Sequence, residues 1–374
     1  MATPSVGVDP PIDPHIKKGL YMDLEKQYKQ VSESLSRLDF DAIWPGFAPL
    51  KFALYNAEKC FFDGQYIEKT DAFCANTSIE YNGEQIAIWM LQEELEIPVL
   101  TSKIIHEMFH GFQTKNDWDC WPNEREALYH YQYRPENLSL KLQENELLLT
   151  LLDGFEEAPY RELLGLRKLR SQRFPYEFSY ESRVEEIEGT ANYVEWQTLK
   201  QLDAGKAEAL AERMGRTITT PTAFFPIRIS CYATGALLIH VLRQAGDYDF
   251  APFERPLLPA LLEAGQWGGQ WGTVLFGLPS QKEPSPTGPV TQATAAFLAE
   301  SEAIIQAALE KNEIVLEGPL ELLALNIYDA RCHKGYLTST YFIMVREGEE
   351  EKMLPGNFVL KMRDEKTIET VYRW

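Results

Sequence analysis

The chain has 374 residues, of which 45% are hydrophobic and 25% charged, a composition that buries a substantial core and excludes a disordered polymer. Its formal charge of −20 repels phosphate backbones and no basic stripe offsets it, which excludes nucleic acid as a partner. The Pro-rich start carries no apolar export segment and no apolar run is long enough to cross a membrane. Five cysteines, an odd number without CxxC spacing, point to reduced thiols and to the cytoplasm.

In chain order, residues 17 to 38 read as a helix through Leu20, Leu24, Tyr28, Val31 and Leu35, followed by aromatic-rich mixed segments from Phe40 to Phe73. Residues 77–81 and 84–89 flank Asn82-Gly83, a dipeptide that accepts positive φ at both centres of a type I′ turn, and predict a hairpin. Residues 101 to 113 predict a buried helix, with Thr101 or Ser102 as its N-cap after Pro98. Helices follow over 136–153, 157–171, 181–203, 205–214 and 226–245. The Gly/Pro-rich stretch 265–289 reads as a linker or loop that closes a domain over 1–264. Beyond it, 290–374 reads as a helix to 311 and a small β-rich module with strands near 313–317, 320–328, 336–345 and 358–362. The expected fold class is α+β, mainly helical, with a small mixed sheet beside the helix at 101–113.

That helix carries His106-Glu107-Met108-Phe109-His110, an HExxH motif. Histidines at i and i+4 share a helix face, so both imidazoles reach one Zn2+ ion, and the glutamate between them is placed to take a proton from water activated by the metal. His106 and His110 are therefore the expected ligands and Glu107 the expected general base. Catalytic zinc takes a third protein ligand. The HExxHxxGxxH extension is absent, since Gln113 and Asn116 stand where it has its glycine and its last histidine. The search moves to 181–195, where Glu185, Glu188, Asn192 and Glu195 border an apolar stripe of Val184, Ile187, Ala191 and Val194. Gly189 and Ala191 lack bulk and allow a close helix neighbour.

These residues resemble the gluzincin metallopeptidases, whose pattern is HExxH plus a downstream glutamate. In the aminopeptidase N-like family the third ligand opens an Asn-Glu-Gly-Phe-Ala type segment, which Glu188-Gly189-Thr190-Ala191 resembles, so the resemblance implies Glu188 as the ligand with Glu185 in reserve. In the thermolysin and neprilysin patterns an acidic residue four positions on orients a ligand histidine, and Asn192 stands at that offset. Tyr232-Ala-Thr-Gly235-Ala236 is similar to the Tyr-x-x-Gly-Ala helix of the aminopeptidase N-like enzymes, which implies that the Tyr232 hydroxyl stabilises an oxyanion. Arg228, one turn earlier, reads either as an assistant or as an ion-paired surface residue, the second being favoured. Two departures stand out: the third ligand lies much farther from the motif than in thermolysin or aminopeptidase N, and no Gly-x-Met-Glu-Asn segment is present, so aminopeptidase activity is not implied.

The expectation is a zinc metallopeptidase acting on a peptide or protein, with strand 84–89 as a surface for backbone pairing by an extended substrate. A zincin-fold binding or regulatory protein, with 312–374 as its working surface, and a zinc hydrolase of a non-peptide amide remain as alternatives. His15, His130 and His333 read as surface or loop residues, His240 as core-facing, and the cysteines as small apolar residues.

Overall fold

The computed structural model describes residues 23–246 and 286–374. The Pro-rich start, His15 and the linker stretch as far as residue 285 lie outside the described residues. Helix α1 (Leu24–Leu35), capped by the Asp23 carboxylate accepting from Lys26 N, and the single turn α2 (Phe40–Ile43) lead into a five-stranded sheet. That sheet comprises β1 (Lys51–Tyr55), β2 (Cys60–Phe62), β3 (Gln65–Ile67), β4 (Thr77–Tyr81) and β5 (Glu84–Met90), in the order β3-β2-β1-β5-β4. The β4–β5 hairpin closes at Asn82 and Gly83, both at positive φ as a type I′ turn requires.

The expectation for strand 84–89 is corrected by this order. β5 is interior, bonded parallel to β1 on one side and antiparallel to β4 on the other, so its backbone groups are already paired. β4 is the edge strand beside it.

Helix α3 (Ile97–Lys115) lies against β5 and β4. It starts earlier than the expected N-cap at Thr101 or Ser102: Glu96 holds the cap position without a side-chain bond, and Pro98 fits the first turn, where its missing N–H would have had no helical partner. Thr101 and Ser102 are instead buried one turn inside. Then come α4 (Glu124–His130), α5 (Pro135–Asp153), α6 (Glu157–Arg173), α7 (Pro175–Leu202), α8 (Ala204–Thr219) and α9 (Ile227–Ala245). The 28-residue α7 also begins earlier than expected, again on a first-turn proline.

α7 and α9 cross at two glycines. A Cβ on Gly189 would lie 2.5 Å from the Gly235 Cα, and one on Gly235 would lie 2.3 Å from the Glu185 carbonyl oxygen, so the two backbones meet where neither has a side chain. Around this crossing α3, α7, α8, α9 and the sheet share one apolar core that includes Ile105, Phe109, Val194, Leu238 and Leu242.

After α10 (Gly288–Lys311) the chain builds a second, seven-stranded sheet in the order β10-β9-β6-β12-β11-β8-β7. The strands are β6 (Ile314–Leu325), β7 (Arg331–His333), β8 (Tyr336–Ser339), β9 (Phe342–Glu347), β10 (Glu350–Pro355), β11 (Phe358–Met362) and β12 (Thr367–Arg373). The runs expected near 313–317 and 320–328 are one strand whose register against β12 shifts around Gly318, and the run 336–345 is two strands parted at Tyr341, which sits at φ 67°. The sheet covers its own core with Leu128 and Tyr129 of α4, and Arg125 of α4 donates to the Leu323 carbonyl at 2.8 Å. Among the described residues no helix is long and apolar enough to cross a membrane.

Candidate metal centre

His106 and His110 project from consecutive turns of α3, buried in a cleft of about 1020 Å³ between β4, α3, α7 and α9. Their Nε2 atoms stand 3.2 Å apart. Glu188 reaches them from α7, its Oε2 lying 3.2 Å from His110 Nε2 and 3.6 Å from His106 Nε2. Three donor atoms thus form a near-equilateral triangle. Zinc bonds of roughly 2.0–2.1 Å in tetrahedral geometry demand ligand-to-ligand edges of about 3.3–3.4 Å, so the triangle has the size of a zinc site.

The proton positions agree with that chemistry. Gln113, one turn after His110, donates its amide N–H₂ to the Ile187 carbonyl and to Thr190 Oγ1, each at 2.8 Å, which turns its Oε1 toward His110 Nδ1, also at 2.8 Å. An acceptor at Nδ1 requires the proton there and leaves the Nε2 lone pair facing the triangle. Glu195 stands behind His106, with its carboxylate 3.6 Å from Nδ1, near enough for charge attraction but beyond hydrogen-bond length. Asn192 lines the cleft; the residue at hydrogen-bond distance behind a histidine is Gln113, and Glu195, two helical turns from Glu188, places its charge beside His106.

Burial disfavours charge on His106, yet Glu188 and Glu195 outweigh it and push its pKa up to about 10. For Glu188 burial likewise opposes ionisation, and the two histidines pull the carboxyl down to about 2. The buried carboxylates thus favour positive charge at this place.

The second oxygen of Glu188 is held by Arg228, whose Nη2 lies 2.5 Å from Oε1. Arg228 also pairs through Nη1 with Glu124 of α4 and donates to the Tyr232 hydroxyl at 3.0 Å. Arg228 is ion-paired as expected, but it is buried and belongs to the site rather than to the surface. A guanidinium can sit there because two carboxylates meet it. Glu124 in turn accepts from Tyr180 at 2.7 Å. Burial keeps the Tyr232 hydroxyl protonated well above its ordinary pKa, Arg228 acting against this and Glu188 with it. Glu107 lines the same cleft beside His106.

No family model, curated protein or solved structure matches the chain. The site therefore rests on its own geometry.

Glu185, the reserve ligand, does not join the triangle. It points into a buried ionic cluster, 3.1 Å from Lys141 and 2.7 Å from Arg167, while its neighbour Glu181 meets Arg170 at 2.7 Å and Lys141 at 3.0 Å. Glu181, Glu185 and Cys231 have metal-like spacing, but the Lys141 ammonium already supplies the cation between the two carboxylates. His130 and His333 pair with Glu365 and Glu302 away from the cleft, and His240 packs on Trp196. The five cysteines are free; Cys60, Cys120 and Cys231 are buried as small apolar residues, whereas Cys74 is exposed.

Helical spacing signals two of the partners missed in the sequence: Gln113 is three residues after a ligand histidine, and Glu195 is seven after the third ligand. Glu124 and Tyr328, which lines the cleft from the second sheet, have no such signal.

Proposed function

We propose that the protein is a gluzincin-type zinc metallopeptidase of zincin-like fold, working in the cytoplasm on peptides or proteins. The observation that carries this reading is the His106–His110–Glu188 triangle, with Gln113 accepting from His110 Nδ1 and the Glu195 carboxylate behind His106. When bound there, zinc supplies the Lewis acidity that makes water a usable nucleophile at neutral pH and polarises a carbonyl.

The chain's own residues do the rest. His106, His110 and Glu188 hold the ion, and Gln113 and Glu195 keep the two rings turned toward it. Glu107, held on α3 between the ligands, takes the proton of the attacking water and delivers it to the departing amine. Tyr232 directs its O–H at the carbonyl oxygen as negative charge develops. Peptide rather than a compact amide is favoured by β4: residues 76–80 line the cleft, and among the described residues no strand pairs with the outer edge of β4. An extended substrate adds to such an edge through backbone hydrogen bonds.

The test pairs elemental analysis with hydrolysis of a broad peptide library. The wild type is expected to carry zinc, His110→Ala to lose it, and Glu107→Gln to keep it while hydrolysis falls by about 10²–10⁴-fold. Undiminished hydrolysis by Glu107→Gln, or a wild type that takes up no zinc, would overturn the assignment.

A further inference from the structure

The second sheet places one residue in the cleft. Tyr328 stands in the turn between β6 and β7, and its hydroxyl oxygen lies 3.4 Å from that of Tyr232. The Arg228 guanidinium lies over both rings, 5.3 Å from the centre of Tyr232 and 6.0 Å from that of Tyr328.

The turn that carries Tyr328 is built to hold it. Asn326, buried, accepts from the Tyr328 backbone N–H at 3.2 Å, and its amide donates to Thr340 Oγ1 at 2.9 Å and to Asp329 at 3.5 Å; Thr340 in turn donates to Asp329 at 3.0 Å. This closed Asx-type turn is fixed to the helical part through Arg125 and the apolar side chains of Leu128 and Tyr129. The position of the Tyr328 hydroxyl is thus set by how the second sheet docks on α4.

We infer that Tyr328 is a positioning residue for Tyr232, which makes the C-terminal sheet an integral part of the catalytic unit. A phenolic oxygen has two lone pairs and one proton. Arg228 Nη2 fills one lone pair of Tyr232. The Tyr328 hydroxyl stands at the other, and either oxygen can donate; when Tyr328 donates, the single Tyr232 proton has only the cleft to point into, toward the oxygen on which charge develops. Removing the Tyr328 hydroxyl lets the Tyr232 proton turn toward the vacated place.

This inference rests on the zinc-peptidase reading, and a double-mutant cycle on the zinc-loaded full chain separates the two. The probe is phenylphosphonate, a tetrahedral oxyanion, with its affinity and that of zinc measured calorimetrically for wild type, Tyr328→Phe, Tyr232→Phe and the double variant, and thermal midpoints as the folding control. Tyr328→Phe is expected to weaken phosphonate about fivefold to tenfold at unchanged zinc affinity. The same change in the Tyr232→Phe background is expected to cost nothing further, because the group it positions is gone. Wild-type phosphonate affinity in Tyr328→Phe, an equal loss in both backgrounds, or a zinc-loaded wild type that ignores phosphonate overturns the role of Tyr328. A wild type that binds no zinc overturns the peptidase reading with it.

Discussion

His110 is fixed from behind by a residue whose contribution can be measured without a substrate. Gln113→Leu removes the acceptor that holds the proton on His110 Nδ1, and zinc affinity is expected to fall by about 10–100-fold, read by competition with a chromogenic chelator; an unchanged affinity would show that Gln113 packs without orienting. Arg228 has a larger task, because Glu124 and Glu188 both depend on it in a buried place. Arg228→Gln leaves carboxylates without their cation and is expected to cost about 3–5 kcal/mol in the zinc-free protein, measured as a drop in urea midpoint. The residues of the triangle were legible in the sequence, since 3.6-residue periodicity brings 106 and 110 together and marks the polar row that contains Glu188. Arg228 was misplaced on the surface because an arginine on an apolar helix betrays its burial only when its partners, here on α4 and α7, are known.

The crossing of α7 over α9 is the element on which the site depends, since α7 brings Glu188 and α9 brings Tyr232 and Arg228. Gly189→Ala would press a methyl onto the Gly235 backbone at 2.5 Å, and backbone cannot swing aside as a flexible side chain does. The helices must separate, at an expected cost of about 1–3 kcal/mol or more, together with weakened zinc binding because Glu188 moves with α7. Thermal unfolding and zinc titration check both parts, and a fully stable Gly189→Ala would show that the crossing has slack. Long helices and the Asn-Gly hairpin were readable because their periodicity or turn chemistry is strong. Strands β1 to β3 were not, being three to five residues long within an aromatic stretch where pattern alone does not separate strand from loop. The interior place of β5 follows from its parallel pairing with β1, which no local pattern reveals.

At the scale of the molecule, the ionic cluster joining α5, α6 and α7 makes stability depend on acid. Burial alone would raise the Glu181 carboxyl, but Arg170 and Lys141 hold it at about 2, below the value near 4.5 that an unconstrained glutamate has. Its contribution is complete above the unfolded value and is lost as pH falls from about 4.5 toward 2, on the order of 3 kcal/mol. Glu144, which burial keeps above the usual range against Arg170 and Arg167, offsets part of the loss. A falling urea midpoint between pH 5 and pH 2.5, reduced in Glu181→Gln, is the expected result; a flat profile would mean that the fold does not hold the Glu181 carboxyl below its unfolded value. The metal triangle adds a second dependence of the same kind. The residues proposed as ligands come from α3 and α7, which share one core, so an ion that binds only the folded arrangement would be a thermodynamic weight on that arrangement: free zinc at a hundred times its dissociation constant would add about 2.7 kcal/mol. The protein would then report free zinc through its own half-life, persisting where the ion is plentiful and yielding to proteolysis where a chelator removes it.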